Sequence, residues 1–394
     1  MDYNSNDIKP PHGWQVLQSR LQSKLDRIES KGRTRSLRKG HQEGVIDLSH
    51  NDYLGIRSDP SFHKSIHNQV ADLPFGSGGS RLLGGEHPIF QDLEDSFSKF
   101  KGSSSSTFFT SGYAANQAIC RALIGPRTSV HFDKLNHASL IDGLKLAPIK
   151  QEQVHYFPHN SLKDLEQSLE SSNAELRLVF TESIFSMDGD RGKLKEIFQF
   201  CQQYDGFLII DEAHALGVHG SRGQGLLEEN QIDPDHVVTV NPCGKGMGAS
   251  GAFISGPGLL KNYLINSSRE LIFSTAPSPW MASGLKHAIK DISTRYEERL
   301  HLAEISELVR KSLKDLGYDT GFCNSHIIPV IFGSESTAVK AELYLQERGI
   351  ICRAIRPPSV HPKASRLRIS LNSSITNTQC CEILSAFKDL KNVI

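Results

Sequence analysis

The chain carries no surplus of either charge. Among its 394 residues Lys and Arg together number 44, as do Asp and Glu, for a formal net charge of +0. The bulk basic excess that a phosphate backbone favours is missing, which counts against a nucleic-acid partner without excluding one. No Cys-x-x-Cys pair occurs. Seven cysteines are scattered at 120, 201, 243, 323, 352, 380 and 381, a pattern that reads as reduced thiols rather than as a disulfide frame or a metal site. No apolar run approaches the ~20 residues of a membrane span. The opening MDYNSNDIKPPHG is too polar for a signal-peptide core. These absences predict a soluble, cytoplasmic protein with no membrane partner and no metal.

A phosphate-cradling GxxxxGK[ST] loop is absent too. Gly192-Lys193 and Gly244-Lys245 are followed by Leu194 and Gly246, and Met187 and Thr239 stand where the first glycine belongs. This matters because FLIIDEAHALGVHG, 207–220, ends an apolar run in Asp211-Glu212-Ala213-His214, the letters of a helicase box. Without a phosphate loop those letters do not make a motor. The dinucleotide pattern GxGxxG fails as well, since Gly76-Ser77-Gly78-Gly79-Ser80 is followed by Arg81.

What is present is a rhythm. Trp14, Leu17, Leu21, Leu25 and Ile28 lie on one helical face, and a basic segment follows with Lys31, Arg33, Arg35, Arg38 and Lys39. Residues 1–45 therefore read as an N-terminal arm. Short β-rich runs then recur at 106–109, 129–132, 153–157, 176–180, 207–211, 236–240 and 251–255, several of them separated by helix-like segments. Such alternation predicts an α/β fold with a mostly parallel, seven-stranded sheet covered on both faces. Residues 46–285 form this large domain. A helical linker over 282–316 leads into a smaller C-terminal α/β domain, 286–394, with strand-like runs at 326–332, 350–355 and 366–371.

In open α/β sheets ligands sit beyond the carboxyl ends of the strands, and four features fall there. Asp211 ends a buried strand, where a carboxylate needs a partner; a protonated pyridine nitrogen is one. Lys245 lies 34 residues further on, one strand later, crowded by Gly244, Gly246, Gly248, Ala249, Ser250 and Gly251. A lysine in such a pocket can lose its charge and serve as a Schiff-base amine. His137 opens a helix after the third run's predecessor, SVHF, where its imidazole can stack on a flat ring. Ser111-Gly112-Tyr113 opens another helix, with free N–H groups suited to a phosphate. Each feature alone is also what a capping acid, a turn lysine or a helix-start residue looks like. Together they describe a site for pyridoxal 5'-phosphate.

At GSGGSRLLGG (76–85), TESIFSMDGDRGKL (181–194), DEAH (211–214) and AIRPPSV (354–360) the chain resembles the α-oxoamine synthases, a branch of the fold-type I pyridoxal-phosphate enzymes. The resemblance runs from NDYLG (51–55) to RLRISL (366–371), and FSMDGD and IRPPSV point to its biotin-synthesis member. It implies a decarboxylative condensation of L-alanine with a pimeloyl thioester, carried on coenzyme A or on a carrier protein, in a homodimer. Glycine or serine with another acyl thioester is the alternative within the family. Lys245, Asp211, His137 and His214 are the implied catalytic residues. Lys245 is the Schiff-base lysine and then the base for the α-proton, and Asp211 pairs with the ring nitrogen. His137 stacks on the ring, and His214 and Ser186 hydrogen-bond the cofactor. Gly112 and Tyr113 place it, and Ser274 and Thr275 are expected to reach the phosphate from the other subunit. Asn51 and Arg368 would hold the amino acid's carboxylate, and Ser359 takes a substrate-contact position. An Arg within 33–38 is expected to face the acyl group. Two departures stand out: Pro242 replaces the Thr that the family usually carries three residues before the lysine, and Leu216 replaces a small polar residue.

Overall fold

The computed structural model describes residues 11–35, 37 and 44–394. Arg38 and Lys39 of the basic segment lie outside the described residues. The chain divides into two compact units, Met1–Val45 and Ile46–Ile394. The first contains α1 (His12–Glu29), on which the expected apolar stripe forms and which buries none of its residues.

In chain order the second unit runs β1 (Ile46–Asp47), α2 (Pro60–Val70), α3 (Pro88–Lys101), β2 (Ser105–Phe109), α4 (Gly112–Leu123), β3 (Thr128–Asp133), α5 (Ala138–Leu146), β4 (Val154–Phe157), α6 (Leu162–Glu170), β5 (Leu176–Glu182), α7 (Leu194–Gln203), β6 (Gly206–Asp211), β7 (Val237–Pro242) and β8 (Ala252–Gly256). It continues with α8 (Gly258–Ser267), α9 (Arg269–Ile272), α10 (Pro279–Thr294), α11 (Tyr296–Asp315), β9 (Ile327–Gly333), α12 (Glu335–Gln346), β10 (Ile350–Ile351), β11 (Arg353–Ile355), β12 (Ser365–Ser370) and α13 (Asn377–Leu390). Side-chain oxygens set several helix starts. Asp59 accepts the Ser61 and Phe62 N–H groups, and Ser111 accepts that of Ala114. Each satisfies a donor that the first helical turn leaves orphaned.

Strands β2 to β8 form one seven-stranded sheet in the order β2-β8-β7-β6-β5-β3-β4. Only β8 runs against its neighbours, so the mostly parallel reading holds. Alternate residues of β6 enter different cores. Ile209 joins Phe109, Ile119, Phe132 and Phe180, whereas Leu208 and Ile210 join Leu165, Val179 and Ile197. Both faces are thus covered, as helical crossovers require. A second, three-stranded antiparallel sheet, β11-β12-β9, belongs to the C-terminal portion, and β1 pairs in parallel with β10. The helical linker differs from the continuous helix expected over 282–316. It breaks at Arg295, whose ψ of 51° leaves the helical region and whose guanidinium is held by Asp291 and by Asp59.

The end of β3 is tied to the loop that follows β5 by one side chain. His159 meets Asp133 at 3.1 Å through Nδ1 and Asp190 at 2.8 Å through Nε2. Burial alone would lower its pKa, but hydrogen bonds to the two carboxylates outweigh that and raise it to about 10. A histidine raised in the folded state contributes stability that is fully present below its unfolded value near 6.5 and is lost as pH rises through about 10. His159→Gln is therefore expected to destabilise by about 1.5–3 kcal/mol on the acid side. The difference in thermal midpoint between variant and parent should shrink above pH 10; a constant difference across that range would refute the charged clamp.

Candidate active site

Four parallel strands, β3, β5, β6 and β7, deliver their carboxyl ends to one place. Asp211 closes β6, in register with Glu182 at the end of β5. It is 4% exposed, and both of its oxygens are engaged: Asn116 Nδ2 donates to one at 2.7 Å and the Ala213 N–H to the other at 2.9 Å. Asn116 is itself fixed by Ser139 Oγ at 2.9 Å. Lys245 follows β7, and its Nζ lies 2.9 Å from His214 Nε2. Lys245 is partly exposed as a residue, but desolvation of its amine lowers the pKa to about 8, against the opposing pull of Asp211 and Glu182. The amine therefore keeps a substantial neutral fraction near pH 8.

His214 links this lysine to Tyr53 and Asn51. Its Nδ1 meets Tyr53 Oη at 2.5 Å, and Tyr53 Oη in turn lies 3.2 Å from Asn51 Oδ1. Burial, reinforced by the Lys245 and Arg368 charges, pushes His214 well below the ordinary histidine value, so the ring is neutral with one donor and one acceptor. One assignment satisfies every partner: Tyr53 donates to Asn51, His214 Nδ1–H donates to Tyr53, and Lys245 donates to Nε2. Burial also pushes the Tyr53 phenol up to about 12, which keeps its proton in place.

Asn51 and Arg368 are brought together across the chain. Arg368 Nη1 donates to Asn51 Oδ1 at 3.0 Å, and its Nε donates to the Ser186 carbonyl at 2.5 Å. Its Nη2 is buried with no protein partner. A guanidinium tied on one side and open on the other is poised for a carboxylate. Ser186 thus enters the cluster through its backbone. His137 caps α5, with Nδ1 2.7 Å from Ser139 Oγ, and is exposed. Burial of part of the ring lowers its pKa, while Asp211 raises it and Lys245 lowers it.

At the start of α4 the Gly112 and Tyr113 N–H groups have no acceptor within the helix. Gly112 meets the Pro242 ring: a Cβ there would lie 2.6 Å from Pro242 Cγ. Tyr113 is 42% exposed and donates to Asp142. Ser274 and Thr275 lie on the segment after α9, which is tied to the Gly79 carbonyl by the Ala276 N–H. Ser359 sits in an exposed turn, its N–H on the Arg356 carbonyl. Among the described residues none of the hydrogen bonds found for these three reaches the Lys245 cluster. One of the glycines around Lys245 is set by packing. A Cβ on Gly246 would lie 2.1 Å from the Leu216 carbonyl oxygen. The close approach there is backbone on backbone. Leu216 is fully buried among Cys243, Met247 and Phe108, an apolar setting that has no use for a polar side chain.

Sequence reasoning missed three residues. Asn116 lies in the helix opened by Ser111-Gly112-Tyr113, four residues after Gly112 and so on the same helical face; that spacing was the available signal. Glu182 stands in the quoted TESIFSMDGD. Burial and the nearby Asp211 raise its pKa well above the carboxylate range, and it accepts the His137 backbone N–H. Tyr53, in NDYLG, had no signal beyond its motif. The donor set fits pyridoxal phosphate: an anchored carboxylate for the ring nitrogen, a desolvated amine, an exposed imidazole and a helix start. Among the described residues no group of three or more His, Cys, Asp or Glu is placed to hold a metal ion. No helix there is long and apolar enough to cross a membrane.

Comparison with known proteins agrees with this chemistry. Residues 43–387 match the family described as aminotransferase class I and II. The 8-amino-7-oxononanoate synthase of Chlorobaculum parvum is 35% identical over 95% of this chain and 100% of its own length. That of Alkalilimnicola ehrlichii is 34% identical over 87% of each chain. Among solved structures, Sphingomonas wittichii serine palmitoyltransferase matches with a TM-score of 0.84 at 28% identity, over 89% of this chain and 88% of that one. The 8-amino-7-oxononanoate synthase of Francisella tularensis matches with a TM-score of 0.77 at 26% identity, over 89% and 99%. The chain belongs to the class I and II aminotransferase family, and within it to the α-oxoamine synthases, as a pyridoxal-phosphate-dependent acyltransferase of the fold-type I architecture.

Proposed function

We propose that this enzyme condenses L-alanine with a pimeloyl thioester, releasing carbon dioxide, the free thiol carrier and 8-amino-7-oxononanoate. The reading rests on the sequence relatives of that name and on one feature of the site: the open Nη2 of Arg368 lies in the same cluster as the Lys245 amine. Pyridoxal phosphate, when bound, supplies an aldehyde for the amino group and an electron-poor ring for the electron pair that α-proton removal leaves. Lys245 Nζ, in its neutral form, would take that proton and then hold it, its lowered pKa matching it to work near pH 8. Asp211, pinned by Asn116 and Ala213, would hold the ring nitrogen. Arg368 and Asn51 orient the substrate carboxylate, and His137 offers its exposed ring as a lid. Orientation of two substrates in one pocket is the larger part of the task. A second subunit contributing Ser274 and Thr275 belongs to the same reading, as do a role for Ser359 beside the acyl chain and a division of the second unit near residue 285.

The fit to serine palmitoyltransferase structures, with a TM-score of 0.84, favours a second reading in which another amino acid and acyl chain are used. Mass spectrometry of the products from alanine, glycine and serine, each with pimeloyl thioester, separates the two. A mass other than that of 8-amino-7-oxononanoate as the main product would overturn the first.

Three further outcomes are expected. Lys245→Ala abolishes turnover, and borohydride no longer fixes the cofactor to the chain; in the parent, kcat rises as pH passes through about 8. Arg368→Lys raises KM for the amino acid about 10–100-fold, the equivalent of one charged hydrogen bond, with a smaller change in kcat. Pro242→Thr restores a hydroxyl beside the α4 N-terminus and tightens cofactor binding by up to about 1.5–3 kcal/mol in an absorbance titration. Unchanged affinity in that variant would show that the proline costs nothing.

A further inference from the structure

Against the Tyr53 ring lies a second feature that the chemistry above does not use. His326 is 3% exposed, and neither of its ring nitrogens has a protein partner. Buried polar groups are nearly always bonded, so an imidazole orphaned at both nitrogens calls for an occupant. His326 lines a cavity of about 380 Å³ together with His219, Arg191, Arg299, Arg310 and Glu229. Two more nitrogens on that lining, His219 Nε2 and Arg191 Nε, are also buried without partners.

The charges decide what fits. Arg191 pairs with Glu229 at 2.8 Å, and Arg310 pairs with Glu307. Arg299, 7% exposed, is tied to two backbone carbonyls, Ile292 at 2.5 Å and Ser221 at 2.9 Å, rather than to a carboxylate. Three guanidiniums thus face two carboxylates, leaving one positive charge in surplus. Burial keeps both imidazoles below the ordinary value, so they add donors and acceptors but no charge. The unspent capacity is mostly donor, because guanidinium has no acceptor. The volume lies at the low end of small-molecule sites, ~300–1,000 Å³, and is far larger than one water, ~30 Å³.

We infer that this cavity is a binding site for a small organic anion whose carboxylate or phosphate oxygens accept from His326, His219 and the guanidiniums. The site borders the active centre without being part of it. The His326 ring packs edge-on against Tyr53, with centroids 4.1 Å apart, and Tyr53 bonds His214. An occupant therefore touches His326, which packs on Tyr53 and through it reaches the Lys245–His214 contact.

The test is calorimetric titration of the full chain loaded with pyridoxal phosphate, which fills the cofactor's own phosphate site, with neither substrate present. Sodium succinate and inorganic phosphate are the probes, each against sodium chloride at matched ionic strength. Saturable heat is expected with at least one probe. Succinate alone assigns a carboxylate ligand and phosphate alone a phosphate ester. His326→Phe and Arg310→Met should each weaken the binding about tenfold or more. Arg310→Met keeps the result interpretable if the buried substitution fails to fold. Heat no greater than that of chloride overturns the inference. So does binding that Arg310→Met leaves unchanged, which would place the anion at Arg368 instead. Because no acyl thioester is used, either failure leaves the condensation reading untouched.

Discussion

A lysine amine and an aspartate carboxylate at the ends of neighbouring parallel strands, both shielded from water, set the terms for everything around them. Desolvation pulls the amine down to about 8 while the carboxylate pulls it up. A buried charge left alone would cost several kcal/mol. The surroundings resolve this by keeping the nearby titratable groups neutral: Glu182 is raised and His214 lowered. The result is a pocket in which one carboxylate stays anchored and one amine stays movable between its two protonation states.

The Asn51–Arg368 cluster answers to a different constraint. Asn51, Ser186 and Arg368 come from distant parts of the chain, and the guanidinium joins all three. Arg368 stands on β12, in the second sheet, so the grip proposed for a substrate carboxylate depends on how that sheet meets the ends of the first. The short β1–β10 pairing helps hold the segment that carries Asn51. Orienting a planar carboxylate needs that joint to be firm, since small displacements of a reacting group are costly in rate.

The two departures from the family pattern have local structural settings. Pro242 packs on Gly112, where no larger residue fits without movement. Leu216 fills an apolar cluster, and its carbonyl closes on Gly246. The strand end before Lys245 therefore meets the α4 start through the Pro242 ring, and the Lys245 loop meets the segment after β6 through the Leu216 carbonyl.

Strand positions, the mostly parallel sheet and the strand-end residues Asp211, His137 and Lys245 were legible in the chain itself, because period and spacing act locally and place a residue relative to its own element. The Asp211–Lys245 pairing followed from the rule that ligands lie beyond strand ends. Contacts between elements were not legible. Nothing in the order of residues says that Asn116 pins Asp211, that Tyr53 bonds His214, that Arg295 breaks a helix, or that His326 is left unpartnered beside three guanidiniums. Those depend on which surfaces meet when the sheet and its helices close. Hydrogen-bond partners are set by distance in space, which the folded packing alone decides.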